Sequence, residues 1–558
     1  MRVLFIYPNL NTQMGFNHGL ASISAVLKEA GHETRLVNLN EKLPPVPSDE
    51  EVARVVEEWE PGMVAFSCIT QQYEKARQLA EFLRADCARR GVPVPPLVVG
   101  GIHPTLVPEE VMADGVWDHV GVGECEYALR DLVARTEAGE TPDDVSNFVS
   151  WTAGVRPAAA DAAPVAAEHW TKNPVGEFPD LIDLPKPDYT LFETERITAS
   201  KGGWFSLMSS RGCPYRCTYC LNHKIIDTYK ADLGRSVGKL NAFRFRPAAL
   251  MMDEIREVLE AYDNIDTFIF DDDLFTQNVE HAIEICDAYV EAGFTVPIVV
   301  NGHVKRLDPR VAEALARAGG KIVKLGIESG SQRVRSKVLM RHMTHSDIME
   351  TVSSAEEHGL HTSAFVMIGL PTETHDERWE TVDVLAESSV GRFRASYFFP
   401  FPGTDSWNLS IEAGHVDVEK LAEQTDFTES SALDFGEDEN LFIAKLGRCM
   451  PWFVNSRMSH YREAPASARY KPVVDRILAM DRAEWEAFEP TVNALDTELS
   501  AACTAAGELH YAIKYNDFMG VRSDFFLAEE AGREWFTAAA RPTSAEVEKA
   551  VLAEEQPA

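Results

Sequence analysis

A short apolar segment followed by an amphipathic helix recurs through the first 140 residues, and this alternation constrains the fold more than any other feature. The first repeat has an apolar run at 1–7 and a helical pattern that carries Leu20, Ile23 and Leu27. Further strands, with helical segments between them, are predicted at 34–39, 63–67, 97–99 and 117–122. The pattern predicts an α/β domain with a doubly wound parallel sheet, whose ligands bind beyond the carboxyl ends of the strands.

Unusual loops follow four of these strands, at 8–19, 67–72, 100–105 and 121–124. Glycines at three of the four would let the backbone approach a flat ligand closely. Ser67, Thr70, His103 and Thr105 offer hydrogen bonds to such a ligand. Ordinary turn chemistry explains any one of these loops taken alone, because Gly and Asn are common in turns.

Charge and cysteine content argue against several classes of protein. The 558 residues include 53 Lys and Arg against 88 Asp and Glu, and the net charge of −35 argues against nucleic acid or an anionic membrane as the main partner. No apolar run reaches the roughly 18 residues of a membrane-spanning helix, and the first strand shows no signal-peptide pattern, so a cytoplasmic location is expected. Nine cysteines, an odd number in a long chain, do not indicate a disulfide framework.

Three of the cysteines, Cys213, Cys217 and Cys220, form a C-x3-C-x2-C cluster after an apolar strand predicted at 204–210. With His223 they would make a Cys3His zinc site, although structural zinc more often uses two separated ligand pairs. Chance grouping is the weaker explanation, because Cys is scarce elsewhere in the chain. The third interpretation is an iron–sulfur cubane, which ordinarily takes four thiolates, so that three thiolates leave one iron open to a substrate or cosubstrate.

The spacing C-x3-C-x-aromatic-C, with Tyr219 as the aromatic residue, resembles the signature loop of the radical S-adenosylmethionine (SAM) enzymes. The resemblance implies that Cys213, Cys217 and Cys220 hold a 4Fe-4S cluster. In that family the amino and carboxylate groups of SAM chelate the open iron, and an electron from the reduced cluster cleaves SAM to a 5′-deoxyadenosyl radical.

The chain after the cysteines agrees with this resemblance. Strands separated by helical stretches are predicted at 265–270, 296–300, 322–327, 365–368 and 396–399, and they indicate a full or partial (β/α) barrel of the TIM type. The segment 326–330 resembles the family segment that holds the ribose and aminoacyl parts of SAM, and 365–371 resembles the segment beside the adenine. The resemblance implies that SAM is bound by Tyr219, Asp271, Asn301, Glu328, Ser329 and Gly369.

Two positions depart from the family pattern. Thr372 stands where a Gly often follows the Pro, and His303 stands where an Arg is frequent. The acidic run 271–273 has magnesium binding as an alternative, although no further acidic residues follow it to complete a diphosphate motif. Glu328 has a purely structural role at a barrel strand end as its alternative.

The first domain adds a second resemblance, because a doubly wound, Rossmann-like domain before a radical SAM barrel resembles the cobalamin-binding subclass. The resemblance implies cobalamin contacts from Asn9, Gln13, Ser67, Thr70, Gln71, Gly100, Gly101, His103, Thr105, Gly121, Gly123 and Glu124. The Asp-x-His-x-x-Gly pattern that supplies a cobalt ligand in other cobalamin domains is lacking, so His18 and His103 are interpreted as polar loop contacts. Cobalt without a strong lower ligand reaches its nucleophilic state more easily, which suits methyl transfer.

The predicted domains are a cobalamin-binding domain at 1–145, a linker at 146–198, a radical SAM barrel at 199–405 and a mainly helical, substrate-capping domain at 406–558. The last residues of this domain, 544–558, are predicted to be a helix that frays into an acidic tail. The resemblance implies a methyltransferase that moves a methyl group from methylcobalamin to an unactivated sp3 carbon of a small metabolite or natural-product intermediate. Rearrangement, cyclisation or oxidation with the same cofactors is the first alternative. A non-catalytic corrinoid- or metal-responsive regulator is the second. The expected protein partner is an electron donor such as flavodoxin or ferredoxin.

Overall fold

The computed structural model describes residues 1–10, 14–157, 160, 164–388, 390–417, 421, 430–516 and 521–527, with the backbone alone described at 514–516 and 521–527. These residues divide into two compact units. The first comprises Met1–Ser200, Met208–Asn264 and Phe401–Trp407, and the second comprises Lys201–Leu207, Ile265–Pro400 and the chain from Asn408 onward. Gln13 and the terminal helix predicted at 544–558 lie outside the described residues.

The strands in chain order are β1 (Arg2–Tyr7), β2 (Glu33–Asn38), β3 (Met63–Ser67), β4 (Leu97–Gly100), β5 (His119–Gly121), β6 (Phe148–Trp151), β7 (Trp170–Lys172), β8 (Trp204–Leu207), β9 (Ser210–Arg211), β10 (Arg244–Phe245), β11 (Thr267–Phe270), β12 (Ile298–Gly302), β13 (Gly320–Glu328), β14 (His361–Ile368), β15 (Arg392–Tyr397), β16 (Tyr511–Asn516) and β17 (Val521–Leu527).

The described helices are α1 (His18–Glu29), α2 (Asp49–Trp59), α3 (Thr70–Arg90), α4 (Ile102–Leu106), α5 (Pro108–Ala113), α6 (Glu126–Glu137), α7 (Thr194–Ser200), α8 (Leu221–Leu233), α9 (Ala248–Ala261), α10 (Val279–Glu291), α11 (Pro309–Arg317), α12 (His345–Glu357), α13 (His375–Ser388), α14 (Asp405–Glu412), α15 (Glu437–Arg457), α16 (Ser467–Ala479), α17 (Arg482–Phe488) and α18 (Val492–Ala505). In this described part of the chain, no helix has the length and apolar character needed to cross a membrane.

The first unit is built on a seven-stranded sheet in the order β2-β1-β3-β4-β5-β6-β7. Strands β1 to β5 pair in parallel, which confirms the predicted doubly wound sheet, whereas β6 and β7 are antiparallel. The chain places β2 on one side of β1 and β3 on the other, so the direction in which strands are added reverses at β1. The loops after β1 and β3 therefore diverge and leave a crevice at the carboxyl ends of these two strands. Helix α1 begins at this crevice, capped by Asn17, whose side chain accepts a hydrogen bond from the Leu20 amide.

Strands β6 and β7 lie within 146–198, the segment predicted to be a linker. Phe148, Val149 and Trp151 of β6 are fully buried hydrophobic residues, so this stretch pairs with the sheet edge instead of crossing solvent. The first sheet therefore continues into the predicted linker.

The second unit contains an eight-stranded sheet in the order β16-β17-β15-β14-β13-β12-β11-β8. The six strands β8 and β11 to β15 are parallel and correspond to a partial barrel, as the sequence predicts. Trp204, Ile269, Val299 and Ile322 form a buried apolar cluster on one face of this sheet.

The C-terminal region is mainly helical, as predicted, and it also supplies two strands that the sequence did not predict. Strands β16 and β17 form an antiparallel pair, and β17 extends the second sheet beside β15. Tyr511 at the start of β16 is fully buried, and its hydroxyl donates a hydrogen bond of 2.7 Å to the Val390 carbonyl. This long-range contact fixes the strand pair and leaves no periodic signal in the sequence.

Candidate cofactor sites

A cavity of about 390 Å³ lies at the carboxyl ends of the first sheet, where the strand order predicts a ligand site. It falls in the size range of small-molecule sites, and much of its wall is apolar, including Phe16, Leu20 and Phe148. The predicted cobalamin contacts that line it are Ser67, Gly100, Gly101, Gly121, Gly123 and Glu124. Residues from four separate loops of the sequence thus share one cavity.

Two glycines in the cavity wall allow close backbone packing. Gly101 has a φ of +98°, and a Cβ there would lie 2.6 Å from the Cys68 carbonyl oxygen. Gly123 has a φ of +75°, and its Cβ would meet the Tyr229 ring at 2.7 Å. Thr105 joins the two loops, because its hydroxyl donates to the Gly101 carbonyl at 2.8 Å and accepts from the Gly123 amide at 3.1 Å. Thr105 therefore acts on the cavity through these two glycines.

Of the remaining predicted contacts, those that the structure describes, Asn9, Thr70, Gln71, His103 and Thr105, do not line the cavity. Nδ1 of His103 lies 3.2 Å from the Thr70 hydroxyl, and burial lowers the pKa of His103 to about 4, so the imidazole is neutral at pH 7. Asn9 is buried and accepts a hydrogen bond of 2.9 Å on its carbonyl from the Asn40 amide group. The side-chain amide of Gln71 is buried without a hydrogen-bond partner in the described chain. The glycine backbone of the cavity wall fits a flat macrocycle, and the unsatisfied Gln71 amide lies on one of the loops that supply this wall.

Glu124 lines the cavity but its carboxylate already has two cationic partners. Arg211 Nη1 lies 2.9 Å from Glu124 Oε2, and Arg244 Nη1 lies 2.8 Å from the same oxygen. Burial raises the pKa of Glu124, but the charges and hydrogen bonds of the two arginines outweigh it and lower the pKa overall. The backbone amide of Glu124 donates to the Tyr229 hydroxyl at 3.1 Å. We therefore assign Glu124 to holding the cavity wall in place.

Glu124→Gln is expected to destabilise the fold by about 3–5 kcal/mol, because it leaves Arg244, whose side chain is 2 % exposed, without its anionic partner. The measurement is urea unfolding of the full chain at neutral pH. Since the folded pKa of Glu124 is lowered, its stabilising effect is present above the ordinary Glu pKa and is lost as the pH falls through the folded value. Glu109→Gln is the control, because Glu109 forms an exposed pair with Lys172 and should change stability by about 1 kcal/mol or less. Equal effects of the two substitutions would contradict a structural role for Glu124.

The predicted cluster ligands lie on one loop of the first unit, between β9 and α8. Cys217 is buried, whereas Cys213 and Cys220 are half-buried. Gly212 precedes them with a φ of +92°, and a Cβ there would meet the Ala242 carbonyl at 2.1 Å. Arg211, one residue earlier, anchors the strand before the loop to Glu124 and to Glu126, whose Oε1 it contacts at 2.6 Å. The loop is therefore held by backbone and ion-pair contacts that do not involve the thiols.

The segment 401–407 holds the other side of this loop. The Ser406 amide donates to the Thr218 carbonyl at 3.0 Å, and Asp405 pairs with Lys224. Asp405 also lies 3.2 Å from His223 Nε2, whereas His223 Nδ1 is buried without a hydrogen-bond partner among the described residues. Among the described residues, no three His, Cys, Asp or Glu side chains are grouped to bind a single metal ion. A cubane would bind each of the three thiolates to a different iron and would leave the fourth iron without a protein ligand.

Five of the predicted SAM contacts lie at the carboxyl ends of the second sheet: Asp271 after β11, Asn301 on β12, Glu328 and Ser329 at the end of β13, and Gly369 after β14. The structure thus brings them to one edge of a parallel sheet. Tyr219, the sixth, is half-buried on the cysteine loop of the first unit. Their contacts with SAM stay predictions.

The geometry around Glu328 explains the Gly-Ile-Glu-Ser sequence. Glu328 has a φ of +67°, and its Oε1 lies 3.9 Å from Arg341 Nε. A Cβ on Gly326 would lie 2.2 Å from Glu328 Oε1, so only glycine lets this carboxylate lie against the strand. Ser329 is fully buried, and its Oγ accepts a hydrogen bond of 3.2 Å from the Ser331 amide. Ser329 therefore fixes the turn after β13.

The two departures from the family pattern also have visible consequences. Thr372 has a φ of +62°, the left-handed region that a glycine at this position would enter without strain. Burial, together with Arg341, Arg306 and Lys305, lowers the pKa of His303 to about 2, so it is neutral. Its Nδ1 accepts a hydrogen bond of 3.0 Å from the Lys305 amide, so His303 caps a turn.

Two family models match this chain. The model of the radical SAM superfamily matches residues 207–385, and the model of the B12 binding domain matches residues 13–133. The first covers the cysteine loop and most of the second sheet's parallel strands, and the second covers most of the cavity wall.

Among curated proteins, the chain is 24% identical to an uncharacterized methyltransferase, PH0819, of Pyrococcus horikoshii, over 74% of this chain and 83% of that protein. It is 25% identical to an anaerobic magnesium-protoporphyrin IX monomethyl ester cyclase of Rubrivivax gelatinosus, over 78% of this chain and 75% of that protein. Among solved structures it resembles the radical SAM methyltransferase TsrM of Kitasatospora setae, with cobalamin and a 4Fe-4S cluster bound, at a TM-score of 0.57 and 18% identity, over 73% of this chain and 76% of that one.

Proposed function

We propose a reaction for this chain, which belongs to the cobalamin-dependent radical SAM enzymes: it transfers a methyl group from methylcobalamin to an unactivated sp3 carbon of a small molecule. The enzyme class and its three cofactors, a 4Fe-4S cluster, SAM and cobalamin, follow from the two matched domains. When bound, these groups supply a 5′-deoxyadenosyl radical that removes a substrate hydrogen and a cobalt-borne methyl group that replaces it. An electron donor such as flavodoxin or ferredoxin and a cytoplasmic location belong to the same proposal.

The observation that carries methyl transfer is the chemistry of the cavity wall. None of the described residues that line the cavity is a histidine. Burial raises the pKa of both thiols in the wall, Cys68 and Cys125, far above neutrality, so neither is a thiolate. Burial also raises the pKa of Tyr7 to about 12, although a hydrogen bond from Asn17 opposes it. The wall also contains the carboxylates of Glu124 and Glu126, and Arg211 pairs with both of them. A described wall that offers no imidazole and no thiolate, and whose carboxylates are paired with arginine, favours low-valent, nucleophilic cobalt.

Arg211 connects the cavity wall to the cysteine loop, which supports the proposal that the two sites act in one reaction. Arg211 lines the cavity, pairs with Glu124 and directly precedes Gly212 and Cys213 in the chain. A radical and a methyl group that must meet one substrate carbon need fixed relative positions, since a misplaced radical reacts with its surroundings. Arg211 is suited to fixing the start of the cysteine loop against the cavity wall within the first unit.

The test uses SAM with a deuterated methyl group and the reconstituted holoprotein under anaerobic, reducing conditions. We expect S-adenosylhomocysteine to form and the extracted corrinoid to carry the labelled methyl group by mass spectrometry. A Gly100→Val variant is the control, because it is expected to exclude the corrinoid. Production of 5′-deoxyadenosine without labelled corrinoid would contradict methyl transfer.

The second candidate keeps the cofactors and rearranges, cyclises or oxidises the substrate. The similarity to the Rubrivivax cyclase, at nearly the same identity and coverage as PH0819, favours this alternative. It is the reaction class to adopt if the corrinoid stays unlabelled while SAM is cleaved.

A further inference from the structure

A lysine lies inside the second sheet, on the strand that ends in Glu328. Lys324 is 8% exposed and sits in the middle of β13. In the strand register it is opposite Asn301 of β12 on one side and Ser363 of β14 on the other. Paired residues on parallel strands share a face, so Lys324 lies on the same face of the sheet as Asn301 and Ser363.

Within the described part of the chain, no carboxylate lies close enough to the Lys324 ammonium group to form an ion pair. A buried lysine without a partner costs folding free energy, and cores seldom contain one. Burial lowers the pKa of Lys324 to about 7, Asp271 raises it, and Arg392, Arg394 and Lys201 lower it. Of these four charged groups that shift the pKa of Lys324, three are therefore cationic.

Two of these three cationic side chains donate hydrogen bonds to neutral hydroxyl groups. Arg392 Nε donates to Ser363 Oγ at 2.7 Å, and Lys201 Nζ donates to Ser206 Oγ at 2.9 Å. Both Arg392 and Lys201 are nearly fully buried. The charged groups that act on Lys324 follow β11, lie on β15 and precede β8, so the space beside Lys324 on this face of the sheet is predominantly cationic.

One side of this space is lined by apolar side chains, which we call the apolar floor. Ile269, Val299 and Ile322 lie one step earlier on the same face and form a buried cluster with Trp204. The polar residues Asn301 and Glu328 lie toward the carboxyl ends of the strands. A ligand that reaches Lys324 would enter from that end.

We propose that Lys324 binds an oxyanion of the substrate, a carboxylate, phosphate, phosphonate or sulfate group, at the apolar floor of the second sheet. The proposal rests on the proposed function and adds the substrate class to it. An anion would pair with the ammonium group and offset the cost of burying it. Such an anchor would also hold a neighbouring carbon of the substrate in one position for reaction.

Equilibrium dialysis of the full-length holoprotein against radiolabelled sulfate tests the site without a reaction. Sulfate keeps its charge across neutral pH, so any pH dependence comes from the protein. We expect one saturable site, whose affinity falls as the pH rises through about 7 and Lys324 loses its proton. Lys324→Met should weaken binding by about tenfold or more, and Lys324→Arg should keep it within about threefold. The control Lys471→Met removes a lysine that is 66 % exposed and paired with Asp475, and should change nothing.

Three results would overturn the proposal: no sulfate bound by the wild-type protein, equal binding by Lys324→Met, or displacement of sulfate by saturating SAM, which would assign the site to the SAM carboxylate. Lys324→Met should melt no lower than wild type, because it removes a buried charge. If that variant does not fold, Lys324→Gln takes its place. Sulfate binding at Lys324 without label transfer to the corrinoid would leave this site standing and refute methyl transfer alone.

Discussion

Replacing any one of Cys213, Cys217 and Cys220 by Ala is expected to lower 5′-deoxyadenosine formation from SAM by at least about a thousandfold, equivalent to about 4 kcal/mol. Only these three cysteines share a loop, and two thiolates cannot hold a cubane that already leaves one iron without a protein ligand. The measurements are iron and sulfide content after anaerobic reconstitution, and deoxyadenosine by chromatography.

The control is Cys286→Ala, which removes a buried thiol from α10 in the second unit and should keep both cluster and activity. The loop is anchored by Gly212, Arg211 and Ser406, so the cysteine variants should melt like the wild-type apoprotein. A single variant that keeps an intact cluster and normal SAM cleavage would refute the ligand assignment. Equal loss of activity in Cys286→Ala would show that the effect is not specific to the loop.

Much of the fold was predictable because it depends on local periodicity. The strand predicted at 63–67 coincides with β3, and the one predicted at 97–99 is extended by a single residue in β4. These strands are buried apolar runs between helices, which gives the clearest signal in an α/β domain. The sequence did not predict β6 and β16, because their pairing depends on contacts between residues far apart in the chain. In β16, for example, the Tyr511 hydroxyl donates a hydrogen bond to the Val390 carbonyl.

The site was predictable where chemistry lies in a short motif. The cysteine loop and the glycines of the cavity wall could be identified from adjacent residues alone. The residues that hold them were missed: Arg211 lies 87 residues from Glu124, and Asp405 lies 182 residues from His223. Lys324 was missed for another reason, since a single lysine in a strand is ordinary in sequence and becomes unusual only through burial.

The two adjacent glycines of the cavity wall allow the binding of cobalamin to be separated from the stability of the fold. At Gly100, the last residue of β4, a Cβ would meet no atom within 4 Å, and the residue lines the cavity. A valine there adds bulk to the cavity wall without backbone strain, and valine suits a strand. At Gly101 a Cβ would meet the Cys68 backbone at 2.6 Å, so even alanine must shift the chain.

We therefore expect Gly100→Val to weaken cobalamin binding by about a hundredfold or more while apoprotein stability changes by about 0.5 kcal/mol or less. Gly101→Ala should instead lower apoprotein stability by about 1–3 kcal/mol, because its conformation is nearly exclusive to glycine. Optical titration with hydroxocobalamin and thermal melting of the apoproteins give the two readouts, with the exposed Gly238→Ala as the control. Unchanged cobalamin affinity in a folded Gly100→Val protein would mean that the macrocycle does not lie against the end of β4. In that case the glycines would serve only to pack the loops, and the cavity would lose its assignment.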